Sequence, residues 1–336
     1  MTDAGRPGIV FLGCGLATRM HSRTLRRIRG VELHYASRDG VRAEEFRRRF
    51  GGVRAHGAYD LALSDRATNV ALIATPTSTH RELAEMALAA GKHVIVEKPA
   101  FMRSSDADAV RAAAQRAGRQ VMVAENYAYK PVAVHLRRVI GAGDLGDVRF
   151  VLLNATKRQA ASDWRADPAL SGGGALFEGG VHWISFAANI GLEVLDVRGY
   201  RVGRAEGPDR SSLVTFRYRN GAVGTLMHSW ELPAPFGGLR LSKVQGTAGA
   251  VTFESNGFVV VTTGRRRSLR LPAFSDPLGY RAMFSDFLDA LRVGRDPEFT
   301  LAMARRDLVL LEAIDRSMAA DRLPAAAPPA PAPSRT

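Results

Sequence analysis

The stretch Gly13-Cys14-Gly15-Leu16-Ala17-Thr18 runs on directly from the apolar residues Ile9 to Leu12. It keeps the G-x-G-x-x-G/A spacing except that Thr18 stands where the last small residue is usual. A glycine at 13 permits the tight turn, and one at 15 lets an anion approach the backbone. A helix starting there presents free N–H groups to a pyrophosphate. Gly13, Cys14, Gly15, Leu16 and Ala17 are therefore candidate dinucleotide contacts, the alternative being an incidental glycine turn. A second cluster, Ala36-Ser37-Arg38-Asp39, ends the next apolar stretch, where a dinucleotide site meets the adenosine ribose. An acidic side chain there accepts hydrogen bonds from the 2′-hydroxyl of NAD; a hydroxyl and a guanidinium suit the 2′-phosphate of NADP. Ser37 and Arg38 thus favour NADP over NAD, while Asp39 keeps NAD open and Arg38 could equally be a plain surface arginine.

These residues need a scaffold, and the first third of the chain spells one out. Short apolar runs alternate with amphipathic segments, the pattern of βαβ units around a parallel sheet. Strands are expected at Ile9 to Leu12, Glu32 to Ala36, near Val53, at Val70 to Ala74, His93 to Val96 and Gln120 to Ala124. Helices fall between them, giving an α/β Rossmann domain with a doubly wound parallel sheet over residues 1–125. From Pro131 the pattern changes to Val/Thr/Phe alternation, with strands expected at Phe150 to Thr156, Glu193 to Arg201, Ser212 to Arg217, Gly224 to Trp230, Arg240 to Gln245, Ala250 to Glu254 and Phe258 to Thr262. These predict an α+β domain with one large, mostly antiparallel sheet over residues 126–322. Tyr280 to Val293 and Leu301 to Ala320 read as amphipathic helices, and residues 323–336 as an extended, mobile Pro/Ala-rich tail.

The chain has 336 residues and a formal net charge of +14, which raises nucleic acid as a partner. Only five of its 47 cationic residues are lysines, however, and the arginines are scattered, with short clusters at Arg47 to Arg49 and Arg265 to Arg267. No finger spacing or recognition helix accompanies them, so they read as solvated helix faces and no nucleic-acid partner is expected. No apolar run approaches the roughly 18–20 residues of a membrane span. A polar N-terminus and a single cysteine, Cys14, fit a cytoplasmic address. No metal-ligand set stands out and no metal is expected.

Two further segments are Ala74-Thr75-Pro76-Thr77-Ser78-Thr79-His80 and Ala90-Gly91-Lys92-His93-Val94-Ile95-Val96-Glu97-Lys98-Pro99. With the glycine turn upstream and Gly172-Gly173-Gly174-Ala175-Leu176-Phe177-Glu178-Gly179-Gly180-Val181-His182 downstream, the sequence resembles the glucose-fructose oxidoreductase, inositol dehydrogenase and MocA family over residues 8–320. The resemblance adds Thr75, Pro76, His80, Glu97 and Lys98 to the cofactor contacts. It implies that Lys98 lies beside the nicotinamide and holds the substrate oxygen that cycles between alcohol and ketone. An ammonium at the carboxyl end of a parallel strand can stabilise the alkoxide-like charge of hydride transfer. The alternative for Lys98 is a structural pair with Glu97. A cis bond before Pro99 is common in the family.

The downstream segment resembles the family pattern D-x-G-x-H-x-x-D, which makes His182 the general acid/base. Glu178 replaces the first aspartate and Ser185 the last. In a regular helix Glu178 would share a face with His182 and orient its ring. In Glu125-Asn126-Tyr127-Ala128-Tyr129-Lys130-Pro131, Ala128 stands where the family often has arginine, Lys130 either replaces that cation or is surface, and Tyr127 is a candidate wall by the nicotinamide. Asn154, Lys157, Arg158, Trp164 and Arg165 resemble variable substrate contacts, with Trp164 equally readable as a core anchor. The implied activity is NAD(P)-dependent hydride transfer between nicotinamide and a secondary alcohol or ketone of a sugar, aminosugar or cyclitol. Alternatives on the same scaffold are glycoside hydrolysis or elimination through transient oxidation, and a non-catalytic dinucleotide-sensing regulator. Relatives that form dimers or tetramers imply a homodimer or homotetramer.

Overall fold

The computed structural model describes residues 7–160, 167–203, 207–234, 239–265, 267–271 and 276–320. Its first half winds β1 (Gly8–Leu12), α1 (Leu16–Leu25), β2 (Glu32–Ala36), α2 (Gly40–Phe50), β3 (Ala55–His56), α3 (Tyr59–Ser64), β4 (Val70–Ile73), α4 (His80–Ala89), β5 (His93–Val96), α5 (Ser104–Ala117) and β6 (Val121–Val123). The strands form one parallel sheet in the order β3-β2-β1-β4-β5-β6, with the reversal of strand order between β1 and β4. Helices cover both faces, so Ile9 through Leu12 and Val70 through Ile73 are all fully buried, as continuous apolar strands require. Asp39 caps α2 by accepting from the N–H groups of Val41 and Arg42, and Gly51 ends the helix at φ 71°.

The second half carries α6 (Pro131–Gly141), β7 (Val148–Thr156), α7 (Pro168–Ser171), a π-helical turn at Leu176–Gly180 and α8 (Val181–Ala188). Then come β8 (Val194–Arg201), β9 (Ser211–Tyr218), β10 (Val223–Ser229), β11 (Leu241–Gly246), β12 (Gly249–Glu254), β13 (Val260–Gly264), β14 (Ser268–Arg270), α9 (Tyr280–Val293) and α10 (Leu301–Ala320). The eight strands form a sheet in the order β14-β13-β12-β11-β7-β10-β9-β8, antiparallel except for the β7–β10 pair. Alternation along β7 puts Val151, Leu153 and Ala155 inside and leaves Phe150 and Leu152 exposed, so the sheet has one covered and one open face. Among the described residues no helix is long and apolar enough to cross a membrane.

One strand is displaced from its expected place and one was not expected. The strand expected near Val53 lies at Ala55–His56, because Val53 is still returning from α2 in the turn after Gly51. β14, three residues with two exposed, has too little alternation to register as a strand in sequence.

α10 ties the halves together. Its Glu312 carboxylate accepts from Ser104 N at 2.7 Å and Ser104 Oγ at 2.9 Å at the start of α5. Its other face lies on β8, so closely that a Cβ on Gly199 would sit 2.5 Å from Ile314 Cγ2. Ile314 is fully buried at that contact. Replacing Ile314 by Ala should cost about 2–5 kcal/mol of unfolding free energy, read as a lower urea midpoint at unchanged slope.

Candidate functional site

At the β1–α1 turn, Gly13 has φ 102°, and a Cβ there would meet the Ala74 carbonyl oxygen at 2.9 Å. Gly15 faces open space: a Cβ would meet nothing within 4 Å. The first N–H groups of α1 have no side-chain cap, and Leu16 is exposed beside them. This is a cradle of free amides at a helix start, the arrangement that receives a pyrophosphate. Thr18 is accommodated because its hydroxyl turns inward and donates to the Gly13 carbonyl at 2.6 Å. Cys14 also turns inward, its Sγ 3.7 Å from the Ala36 carbonyl, and burial pushes its thiol up to about 12; only its backbone faces the turn.

At the end of β2, Ser37 is buried and its hydroxyl accepts from Asp39 N at 3.2 Å. The Asp39 carboxylate is occupied as the α2 cap. Arg38 is exposed, and Arg42 donates to the Cys14 carbonyl at 2.8 Å, so two guanidinium groups flank this end of the sheet.

The loops after β4 and β5 are joined through His80. Its Nε2 lies 3.0 Å from the Thr75 carbonyl, and its Nδ1 lies 3.1 and 3.0 Å from the carbonyls of Pro99 and Ala100. Expected as a cofactor contact, this fully buried imidazole instead clamps two loops, because three main-chain acceptors already surround it. The Lys98-Pro99 bond is cis. The Glu97 carboxylate bonds to His21 Nε2 and accepts from Lys98 N at 3.0 Å. Burial would raise its pKa, yet the field of His21 holds it well below the usual carboxylate range. Glu97 is thus inside the fold and braces the lysine's backbone, while the Lys98 ammonium is released toward the second half, donating to the Glu178 carbonyl at 3.2 Å.

His182, on α8, carries the other half of the site. Its Nδ1 lies 2.7 and 2.9 Å from the two oxygens of Glu125, at the end of β6. The expected orienting residue, Glu178, is not the partner. The turn at Leu176–Gly180 is π-helical, and its wider winding breaks the i,i+4 register that would have put Glu178 below the ring. Glu178 instead lies within the field of Lys157 and His228. Among the described residues His182 Nε2 makes no hydrogen bond, and the side chain keeps 14% exposure.

A stack backs the imidazole. The Tyr127 ring lies parallel to it with centroids 4.3 Å apart, and the Lys130 ammonium sits 3.4 Å from the far face of Tyr127. Tyr127 is therefore a support stacked against the His182 ring rather than a free wall. Lys130, open to a surface reading in the sequence, is buried; burial pushes its pKa down to about 7 against the pull of Glu125. His182 is also held below the usual imidazole range, first by burial, with Lys98 and Lys130 adding to it and Glu125 opposing.

Of the expected substrate contacts, Lys157 shares the fields of Lys98, Glu178 and Arg240, and burial with Arg240 lowers its pKa. Asn154 does not reach the site: it alternates onto the open sheet face, its side-chain oxygen accepting from Thr156 N and Oγ1. Trp164 and Arg165 lie outside the described residues. Sequence reasoning missed Glu125 and Arg240. The register Val96↔Val123, which places the ends of β5 and β6, and so Glu97, Lys98 and Glu125, side by side, is what brings Glu125 in, and no spacing in the sequence carries it.

A doubly wound sheet with a bare glycine turn, and a lysine and a carboxylate-held histidine at its carboxyl edge, are the elements that a nucleotide-dependent oxidoreductase would use. Residues 8–125 match the profile of an oxidoreductase family, NAD-binding Rossmann fold, and residues 133–252 that of the GFO/IDH/MocA C-terminal domain. The chain belongs to the glucose-fructose oxidoreductase, inositol dehydrogenase and MocA family. It is 30% identical over 220 residues to trans-1,2-dihydrobenzene-1,2-diol dehydrogenase of Mus musculus, covering 64% of this chain and 63% of that one. It is 29% identical over 234 residues to 1-carboxy-3-chloro-3,4-dihydroxycyclo hexa-1,5-diene dehydrogenase of Comamonas testosteroni, covering 67% and 57%. The chain thus spans less than two thirds of the length of these curated relatives. A solved levoglucosan dehydrogenase in complex with NADH superposes with a TM-score of 0.83 at 22% identity, over 94% of this chain and 97% of that one, and shares the fold.

The electrostatics of the imidazole can be read directly by NMR titration. His182 should titrate below a free imidazole, Glu125→Gln should lower it further by removing the opposing anion, and Lys130→Met should raise it by removing a cation.

Proposed function

We propose that this chain is an NADP-preferring dehydrogenase or ketoreductase acting on a ring-borne secondary alcohol or ketone of a sugar, aminosugar or cyclitol. The observation that carries the reading is the Lys98 ammonium within the field of His182, whose outer nitrogen is left available by the Glu125 bond behind it. The named relatives act on cyclic diols, and levoglucosan is itself a ring-borne polyol.

The turn residues fit a dinucleotide: Gly13 and Gly15 clear the approach, and the open N–H groups of α1 would hold the pyrophosphate. When bound, the nicotinamide supplies or accepts the hydride. Lys98 binds the reacting oxygen and stabilises its negative charge as the C–O bond order changes. His182 Nε2 gives that oxygen a proton in reduction and takes one in oxidation. Glu125 keeps the Nδ1 tautomer protonated and offsets the charge of the imidazolium, while Tyr127 fixes the plane of the ring. A depressed pKa keeps His182 neutral near pH 7, which suits a base in oxidation; reduction needs the protonated form and should be favoured at lower pH.

The same reading includes a cytoplasmic homodimer or homotetramer paired through the open sheet face, where Phe150, Leu152, Met227 and Leu241 lie exposed on neighbouring strands.

Lys98→Ala should lower kcat by at least about 10²–10³-fold while cofactor binding measured by calorimetry survives; retained turnover would refute the mechanism. NADPH should bind about 10–100-fold tighter than NADH, as one added charge-assisted contact implies, and Arg38→Ala should remove the difference. Equal affinity of the unaltered protein for both cofactors would refute the role given to Ser37 and Arg38.

A further inference from the structure

Outside this site, His34 on β2, His56 on β3 and Asp65 just beyond α3 converge beneath the sheet face that α3 covers. The parallel register Ala36↔His56 puts His34 and His56 on the same face of neighbouring strands. One ligand atom from each of the three residues lies within 4.8 Å of the others. His56 Nε2 is 3.4 Å, and His34 Nδ1 3.9 Å, from the same carboxylate oxygen, Asp65 Oδ2. Bonds of about 2.0–2.2 Å in a tetrahedral zinc site set ligand atoms roughly 3.3 Å apart. One edge of such a site is therefore already formed, and a second is about half an ångström long.

The chemistry of the donors agrees with the spacing. Both ring nitrogens of His34 and Nε2 of His56 are buried without a hydrogen-bond partner. His34 is fully buried in the middle of its strand, where no rotation reaches water. Leaving such groups unpaired in the interior is unfavourable, and a shared cation would pair one nitrogen of each ring. Two imidazoles and one carboxylate are a zinc donor set, with a water in the fourth position.

We propose that His34, His56 and Asp65 form a binding site for one divalent transition-metal ion, zinc by its donor set, that staples the edge of the parallel sheet. The staple is needed there because β3 has only two residues. It would also steady the cofactor end, since His56 supplies the carbonyl that accepts from Ser37 N at 3.1 Å. The surroundings contain one competitor. Arg54 Nη1 lies 3.2 Å from both Asp65 oxygens, but its side chain is 60% exposed and can swing into solvent. Lys92 is already spent on the carbonyls of Asp65 and Thr68 at 2.7 and 2.5 Å. The Asp65 Oδ1 atom accepts from Ala67 N at 2.9 Å, which leaves Oδ2 as the ligand.

The test is titration of the metal-stripped full chain with zinc chloride, and with cobalt(II) for its visible spectrum. We expect one ion per chain, tetrahedral-type cobalt bands and a raised melting temperature. His56→Gln, at the partly exposed strand edge, should weaken binding at least about ten-fold. Arg54→Ala keeps all three ligands on an exposed background and should tighten binding severalfold. Failure of the unaltered protein to take up zinc, zinc uptake unchanged by His56→Gln, or Arg54→Ala that does not tighten it, would each overturn the proposal.

Discussion

The bond between Glu125 and His182 is the constraint on which the rest of the site depends. Glu125 lies two residues beyond the last strand of the parallel sheet, and His182 is in the first turn of the helix that packs under the large sheet, so one hydrogen-bonded pair crosses the seam between the halves. Glu125 is 2% exposed, and a carboxylate at that depth is tolerable only with partners. It has two, the imidazole Nδ1 and the Tyr127 N–H at 2.9 Å. The second bond caps the short turn after Glu125, which is what aims the Tyr127 ring at His182 and its opposite face at Lys130. One carboxylate thus fixes the tautomer, the plane and the backing of the imidazole together.

That anion works against a local excess of positive charge. Lys98, Lys130, Lys157 and Arg240 perturb one another or the residues between them, and three of the five lysines of the chain are among these four cations. The net charge of +14 reads as a surface property: arginines such as Arg47 and Arg48, which pair with Glu44, lie on the solvent side of their helix. Exposed pairs of that kind contribute little. The lysines at the seam are a different population. Desolvation lowers the pKa of Lys130 and Lys157, so holding them there as cations costs stability, and their presence marks a place where the fold gives some up for electrostatic work.

What the sequence made legible follows period and spacing. Continuous apolar strands between amphipathic helices were enough for the parallel sheet, and alternation was enough for the strands of the second one. Lys98 and His182 were legible because short strings surround them. Glu125 was not, since its role depends on a neighbour across the chain, and no spacing within one segment encodes that. His80 was misread because a polar side chain at the mouth of a cofactor cleft looks the same in sequence whether it faces outward or is claimed by three carbonyls. Asn154 failed on a one-residue alternation, and Glu178 on the π-helical winding of a glycine-rich turn.

Position 185, on the regular helix α8, departs for a different reason. Ser185 stands where a second carboxylate would follow the histidine, and the fold returns that carboxyl from elsewhere: Asp307, on α10, lies against Ser185 and within the field of Glu125. It is 3% exposed, and burial raises its pKa to about 6 despite Arg306 beside it. Burial makes this carboxyl easier to protonate than an ordinary one, whereas an aspartate on α8 itself would place its charge on the same helix face as His182. Moving the group to α10 makes the helix that latches the two halves a part of the electrostatics behind His182.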